Sequence, residues 1–267
     1  MPPATTHSTD ETGPPTGPTN PTGPARLSRP GRVAEAIKDW IVQAHFSAGD
    51  RLPSEPELIE RFGMAKGTIR EAMRILEAQG LVKSRTGPGG GTFVHEVSKE
   101  RARALLGNYF YFKDLTIRDI YQLRRVLEPE LAAALAGKLS DEVLGQLEAI
   151  IGEYEAPAET IEEERAQHIA SLRFHALLAE QAENALLGFL IDFMVNMLSD
   201  LTVYRKLYEP PNKELWQRGS AYHFELIDAL RIGDSDSARL IMRDHMETAQ
   251  KLMEAQEVEM QRRFISE

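Results

Sequence analysis

Apolar residues first recur at helical intervals just beyond Arg32, and the residues that share this face are Val33, Ala36, Ile37, Trp40 and Ile41. The spacing predicts a first helix that ends near residues 44–45. Ser54 and Glu57 then have the three-residue spacing of a capping box. They predict a second helix, which stops at Gly63 because glycine readily ends a helix.

A third apolar period, over residues 66–79, predicts another helix that stops at Gly80 and follows the second after a very short break. Two short helices joined by such a turn form a helix-turn-helix motif. Residues 81–84 and 92–94 flank a glycine-rich segment, 87–91, and predict a two-stranded hairpin. A hairpin directly after the third helix has the position of a wing, so the pattern predicts a winged helix-turn-helix.

The outward face of the third helix is basic and polar, which suits the major groove of DNA. We predict DNA contacts from seven residues of this helix and the wing: Lys66, Thr68, Arg70, Arg74, Arg85, Gly89 and Gly90. Among them Arg74 and Arg85 are candidates for phosphate contacts. A basic helix face or a glycine run alone is usually solvated surface, so the prediction rests on their ordered combination.

Beyond Glu96 no strand is predicted, and long helical patterns alternate with short breaks. The breaks fall near residues 113–114, 137–141, 156–159, 209–212 and 233–234. They predict about six helices in an antiparallel bundle, and hence a mostly α fold class. The predicted divisions are a disordered Pro/Thr/Gly-rich tail at 1–28, a winged helix-turn-helix domain at 29–95, a linker at 96–103 and an all-helical domain at 104–262.

The overall composition and net charge do not by themselves favour a DNA-binding protein, whereas the distribution of charge along the chain does. The 267 residues are 42% hydrophobic and 27% charged, with a net charge of −10. Residues 29–95 carry a small excess of Lys and Arg, whereas the segments on either side are acidic. Cysteine is absent, which excludes disulfides and Cys-based zinc sites, and neither a signal peptide nor a membrane span is predicted. We therefore expect a cytoplasmic protein with no membrane partner.

Five short motifs follow one another through the basic segment: Leu52-Pro53-Ser54-Glu55, Arg70-Glu71-Ala72, Leu76-Glu77, Gly80-Leu81-Val82 and Gly90-Gly91-Thr92-Phe93-Val94. Their order and spacing resemble the reader domain of the GntR family of bacterial regulators. Two positions depart from that family, because Pro56 stands where an Arg usually follows the Ser-Glu pair and Ala65-Lys66 replaces the usual Ser-Arg. Arg can bind guanine bidentately whereas Lys acts as a point charge, so we expect a changed operator preference.

The acidic half contains Arg124 to Glu128 followed by Pro129, Phe174-His175 followed by Asn184, and then His223 and His245. These pieces resemble the FadR-type subfamily of GntR regulators, whose all-helical FCD domain binds a ligand and dimerises. In many members one Asp and three His hold a divalent metal. The resemblance implies that the metal ligands here are His175, His223 and His245, while Ser171 stands in place of the Asp.

Residues four apart share a helix face, so the Asp of the family and the first His can bind one ion. With Ser171 at the Asp position, the predicted metal site has no carboxylate. His168 does not replace it, because seven residues correspond to roughly 10 Å along the helix. Three imidazoles with water or a ligand oxygen still suit a divalent metal such as Zn or Ni. The alternative is that the histidines are ordinary polar residues of a partly buried cavity.

Arg124 has two interpretations. Its spacing from Glu128 is that of an i,i+4 salt bridge. The resemblance instead implies that an Arg of this helix reaches into the cavity, where it can pair with a carboxylate. Asn184 is the second effector-binding residue that the resemblance suggests.

These features predict a homodimeric, ligand-responsive transcriptional regulator that is not an enzyme. We expect a repressor that binds an inverted repeat of double-stranded operator DNA and senses a small organic acid. One alternative is a metal-dependent hydrolase that uses the histidines, against which stands the missing carboxylate and general base. The other is an architectural DNA-binding protein without an effector, which a closed, apolar bundle interior would favour.

Overall fold

The computed structural model describes residues 27–113 and 115–266, with side chains as far as Glu259. The tail predicted to be disordered over residues 1–28 lies almost entirely outside the described residues. The chain forms two compact units that divide between Val97 and Ser98, and each has its own hydrophobic core.

The first unit contains three helices and one hairpin, namely α1 (Arg29–Gln43), α2 (Glu55–Phe62), α3 (Lys66–Gln79), β1 (Val82–Arg85) and β2 (Gly91–Val94). The strands pair in antiparallel register with Val82 opposite Val94. The apolar faces of the three helices meet in a core that includes Val33, Ile37, Leu58, Ile69 and Leu76. This is the predicted winged helix-turn-helix.

Local signals explain where α2 begins and where α2 and α3 end. Ser54 and Glu57 form the predicted capping box at the start of α2. Gly63 and Gly80 end α2 and α3 in the left-handed conformation, with φ of 61° and 82°. Glycine adopts this conformation without the steric penalty that a Cβ atom brings, so these stops are specified by the sequence itself.

The second unit is all-helical and has the helices α4 (Lys99–Tyr111), α5 (Ile117–Leu135), α6 (Asp141–Gly152), α7 (Ile161–Glu180), α8 (Ala185–Tyr204), α9 (Lys213–Ile232) and α10 (Ser235–Ser266). Helix α4 begins at Lys99, inside the segment for which the sequence predicts a linker. With the small hairpin of the first unit, this architecture confirms the mostly α fold class.

The described part of this unit has seven helices rather than the predicted six, because α7 and α8 are separate. The break falls at residues 181–184, where Asn184 is the N-cap of α8 and accepts hydrogen bonds from the amides of Leu186 and Leu187. Apolar residues continue on both sides of the break, so the hydrophobic pattern does not reveal it. The N-cap preference of Asn is the local signal that does.

Helix α8 is long and apolar enough to cross a membrane by length and composition, with a mean hydropathy of 1.6 and 44% of its most apolar window buried. It packs against α7 and α5. Its buried Asp192 lies 3.0 Å from the Lys99 ammonium and 3.1 Å from the Arg103 guanidinium of α4. A central helix of a bundle has this composition, and the paired carboxylate at its midpoint fits that position.

Candidate DNA-reading surface and ligand cavity

Helix α3 separates its apolar and basic residues onto opposite faces. Ile69 and Leu76 are fully buried in the core of the first unit. Lys66, Arg70 and Arg74 are exposed on the other side, with 57% or more of each side chain accessible to solvent. The face that the sequence predicts to enter a DNA groove is therefore the free face of the helix.

Glu55, at the start of α2, lies against the basic face of α3. Its Oε2 accepts a hydrogen bond of 2.7 Å from Arg70 Nε, and its Oε1 lies 3.5 Å from Lys66 Nζ. The hydrogen bond from Arg70 is the main reason why the pKa of Glu55 is lowered. This hydrogen bond is made by Nε of Arg70. The terminal nitrogens Nη1 and Nη2 do not take part in it and can bind the edge of a guanine base.

The wing is shaped by its glycines. Gly89 has φ of +77°, and a Cβ atom on Gly90 would lie 2.6 Å from the carbonyl oxygen of Arg85. The Arg85 guanidinium packs over the Phe93 ring at 4.6 Å. Only glycine fits this tip without a shift of the backbone, so these glycines are required by the turn itself.

Arg51 is a basic residue of this surface that the sequence reasoning missed. Its Nη2 donates a 2.7 Å hydrogen bond to the carbonyl oxygen of Gly90, and it lines one groove together with Arg70 and Arg74. Lys66 and Thr68 lie in the first turn of α3, outside the lining of that groove. A signal was present in the sequence, since Arg51 directly precedes the Leu-Pro-Ser-Glu motif.

The second unit brings the three predicted histidines together. They come from α7, α9 and α10, and Nε2 of His223 and of His245 each lie 3.2 Å from Nε2 of His175. All three are at most 4% exposed. Burial lowers the pKa of each imidazole, and it does so strongly for His223 and His245. The cluster is therefore neutral near pH 7, which is the ligand form of histidine.

Two polar groups contact the outer nitrogens of this cluster. The Tyr154 hydroxyl lies 2.7 Å from His223 Nδ1. Glu128 Oε2 lies 2.6 Å from His175 Nδ1. With their protons on Nδ1, both rings direct the Nε2 lone pair inward, as metal-binding histidines do. The donor set fits a divalent metal.

Arg124 forms the i,i+4 salt bridge with Glu128, and both residues are 1% exposed. Burial would raise the pKa of Glu128, but Arg124 and then His175 lower it to about 2, so the carboxylate is ionised. Arg124 Nη2 has no hydrogen-bond partner among the described residues. A buried guanidinium nitrogen without a partner is costly and invites an oxygen ligand.

Arg124, His175 and His245 line one cavity of the second unit, which has a volume of about 60 Å³ and is partly open to solvent. Ser171 and His168 also line it. The buried Arg124, His175 and His245 in its wall, together with the opening, do not fit the closed, apolar interior expected of an architectural protein.

The structure does not bring Asn184 to this cavity. Its side chain is exposed and caps α8 instead. Three polar residues around the cavity were missed by the sequence reasoning as functional groups, namely Glu128, Tyr154 and Glu164. Glu128 and Glu164 each have a partner four residues away on the same helix, and this spacing could have been found in the sequence. Tyr154 contacts His223 only through the tertiary fold, so the sequence gives no such signal for it.

Two family models match the chain in the order of its two units. The model of bacterial regulatory proteins of the gntR family matches residues 30–94, and the model of the FCD domain matches residues 119–248. The first match covers the winged helix-turn-helix, and the second covers most of the all-helical unit with the histidines and Arg124.

Curated relatives match along most of their length. The Uxu operon regulator of Haemophilus influenzae is 26% identical over 240 residues, which are 85% of this chain and 83% of that protein. The HTH-type transcriptional repressor NanR of an Enterobacter species is 27% identical over 233 residues, 83% of this chain and 84% of that protein.

A solved structure shares the fold. The GntR protein of Streptococcus agalactiae matches with a TM-score of 0.59 at 23% identity, covering 83% of this chain and 99% of that chain. With the two family matches and the winged helix-turn-helix ahead of a helical unit, the chain belongs to the GntR family of bacterial transcriptional regulators, as a DNA-binding protein of the FadR type with an FCD domain.

Proposed function

We propose that this regulator is a cytoplasmic homodimeric repressor that binds an inverted-repeat operator and releases it when a small carboxylate enters the cavity of the helical unit. The observation that carries the ligand is Arg124, whose Nη2 is buried at the cavity without a partner among the described residues. A relative named as a repressor supports the sign of the regulation. A single small reader specifies few base pairs, so two readers related by a two-fold axis suit a palindromic site.

The DNA contacts of this proposal come from Arg70, Lys66 and Thr68, with Arg74, Arg85, Gly89 and Gly90 at the phosphates. Arg70 is the residue expected to specify a base, because its free terminal nitrogens match the two acceptors of guanine. Arg51 is added to the phosphate-contacting group, since it lines the same groove as Arg70 and Arg74.

The three histidines are proposed to hold a divalent ion, zinc or nickel, through their Nε2 atoms. When bound, the ion supplies open coordination positions that an effector oxygen can fill. Glu128 keeps His175 in one orientation and balances the charge of Arg124. A metal ion with open coordination positions and a guanidinium would then lie at the same cavity, and both groups bind carboxylates.

The effector proposal is tested by operator release. An operator selected from random DNA is titrated by fluorescence anisotropy with and without a panel of small carboxylates. Arg124→Lys keeps the charge beside Glu128 but removes Nη2, so we expect it to bind operator normally and to lose release by carboxylates. Arg125→Lys, on the exposed neighbouring position, is the matched control and should respond like wild type. Equal release in both variants would contradict the role of Arg124.

The metal proposal is tested by metal content and melting temperature. Purified protein should contain a divalent ion, and chelation should lower the melting temperature, because a ligand that binds only the folded state stabilises it. His223→Ala should abolish retention, while the exposed His45→Ala should not. Ser171→Asp should strengthen binding by restoring a carboxylate on the face of His175. Background metal in both wild type and Ser171→Asp would refute the site.

Support for the homodimer comes from aromatic side chains on the second unit. Tyr111, Phe112 and Tyr204 are 80% or more exposed. Such a concentration of large exposed side chains is typical of an interaction surface. Sedimentation velocity should therefore give a dimer, and a monomer at concentrations that still bind operator tightly would contradict it.

A further inference from the structure

The wing of the first unit is attached to the helix-turn-helix at its base. The extended segment 49–52 runs beside β2, and the amide of Leu52 donates a 2.8 Å hydrogen bond to the carbonyl oxygen of Thr92. On the other strand, the Ser84 amide donates a 2.9 Å hydrogen bond to Oε1 of Glu77, near the end of α3. These contacts hold the two strands, but neither of them extends to the tip of the hairpin.

Residues 86–90 form this tip. The Gly90 amide closes the turn with a 2.8 Å hydrogen bond to the carbonyl oxygen of Gly87. Three of the five residues are glycines, whose backbone has more conformational freedom than that of other residues. A two-stranded hairpin with strands of four residues is only marginally stable by itself, so its tip needs a contact from outside the hairpin to keep one position.

Arg51 makes such a contact. Its Nη2 donates a 2.7 Å hydrogen bond to the carbonyl oxygen of Gly90, and among the described residues this is the one hydrogen bond that reaches the tip from outside the hairpin. The guanidinium also lies against the backbone of Gly91, because a Cβ atom there would be 2.7 Å from Arg51 Nε and 3.3 Å from Nη2. The glycine at position 91 therefore leaves the space that the Arg51 side chain occupies.

The contact of Arg51 with the tip should affect DNA binding more than folding. Arg51 is exposed, and a hydrogen bond on an exposed surface adds little to stability because water offers the same groups an alternative partner. A tip that is already held in place loses less conformational entropy when DNA binds, and such preorganisation increases affinity. Nη1 of Arg51 takes no part in the hydrogen bond to Gly90, so it can still contact a phosphate.

We propose that Arg51 is the positioning residue of the wing, which holds the tip at Gly90 and Gly91 in place before DNA binds and thereby increases affinity for the operator. This role differs from a phosphate contact, because it acts on the protein in the absence of DNA. Its consequence for affinity rests on the proposed function, in which the wing contacts the operator. Loss of the Arg51 side chain should therefore loosen the tip, whereas loss of another positive charge from the same groove should not.

Mobility of the tip tests the contact in the free, full-length protein. The chain has no cysteine, so Thr86→Cys provides a single attachment point for a nitroxide label at the exposed tip. Arg51→Met removes the donor and the charge but keeps an unbranched side chain, and we expect it to narrow the electron paramagnetic resonance lines of the label. Arg74→Met is the matched control, since Arg74 lines the same groove and pairs with Glu71 rather than with the wing. Its spectrum should match that of the label with both arginines present.

Operator affinity, measured on unlabelled protein by anisotropy, tests the consequence for DNA binding. Both variants lose one positive charge, so both should weaken binding to random DNA by a similar factor. Arg51→Met should weaken binding to the selected operator about threefold to tenfold more than Arg74→Met does, because its tip must be ordered when the operator binds. An iron–EDTA label at position 86 should cleave the operator at a few nucleotides when Arg51 is present and over a wider stretch in Arg51→Met.

An unchanged label spectrum in Arg51→Met, or equal narrowing in both variants, would overturn the positioning role. A loosened tip in Arg51→Met together with equal operator affinities of the two variants would overturn its effect on DNA binding. Absence of operator cleavage from position 86 with Arg51 present would instead overturn the proposed contact between wing and DNA, a failure that the label spectrum of the free protein does not share.

Discussion

The two units each contain an Arg–Glu pair, and the pairs differ mainly in their surroundings. In the winged helix-turn-helix unit, here called the reader, Arg70 and Glu55 are hydrogen-bonded on an open surface, with 57% and 32% of their side chains exposed. In the helical unit, Arg124 and Glu128 are hydrogen-bonded in the interior, with 1% and 2% exposed. The exposed pair is therefore accessible to DNA, whereas the buried pair is part of the core.

This difference in exposure indicates which substitutions and pH changes each unit can tolerate. Water and salt screen an exposed pair, so it can exchange its partner for a DNA group at little cost to the fold. A buried pair is not screened, and removing one member leaves the other charged group uncompensated. We therefore expect substitutions and pH to change DNA binding in the first unit and stability in the second.

Acid should have the largest effect and should act on the helical unit. His175, His223 and His245 have folded-state pKa values below the ordinary 6.5, so their contribution is complete above that pH and is lost as the pH falls. Three imidazoles that stay neutral in the folded state give a slope of up to about 4 kcal/mol per pH unit. Glu128, held at about 2, adds a further loss below the ordinary 4.5.

The chain offers a reporter for each unit, since its two tryptophans are Trp40 and Trp216. In metal-free protein, Trp40→Phe leaves the signal of the helical unit and Trp216→Phe leaves that of the reader. The Trp216 signal should change at the higher pH, because the three buried histidines belong to the helical unit. Coincident transitions, or a transition of the reader first, would contradict the comparison.

Loss of the buried carboxylate should have the next largest effect. Glu128→Ala leaves Arg124 and His175 without their partner, and removal of one member of a buried ion pair typically costs about 3–5 kcal/mol of unfolding free energy. Glu55→Ala, the matched change in the exposed pair, should leave the urea midpoint unchanged. The comparison fails if the two variants unfold at similar urea concentrations.

Much of this contrast was readable from the sequence where the signal is local. The start of α2 follows from the capping box at Ser54, and the ends of α2 and α3 follow from the glycines after them. The meeting of the three histidines was expected only through family resemblance, because no local pattern joins residues on three helices. Asn184 shows the limit, since its short polar side chain suits a helix cap as well as a ligand and the fold uses it as a cap.

The contact of Glu128 with His175 could not be predicted either. Glu128 has an obvious neighbour in Arg124 one helical turn away, and this pairing alone accounts for its charge. The second partner comes from another helix, α7, and its position depends on how α5 and α7 pack. Patterns along a chain specify which face of a helix is buried, but not which polar groups of two helices meet there.

Arg70→Ala should change DNA binding and little else. Loss of a bidentate contact to a base costs about 1–3 kcal/mol, so operator affinity should fall roughly tenfold to a hundredfold for each half-site. Random DNA should lose much less, because phosphate contacts remain. Lys38→Ala, which removes one positive charge from α1, is the control. Anisotropy titrations at fixed salt would contradict the assignment if operator and random DNA weakened equally.

Glu55→Gln should have the smallest effect, and it separates two consequences of this carboxylate. Glu55 holds Arg70 through Nε, which orients the terminal nitrogens, but its charge also repels nearby phosphates. The variant keeps an acceptor and removes the charge, so random DNA should bind a few-fold more tightly while operator gains less. The ratio of operator to random affinity should then fall, with the exposed Glu60→Gln as control. A ratio that rises instead would mean that Glu55 competes with the operator for Arg70 rather than positioning it.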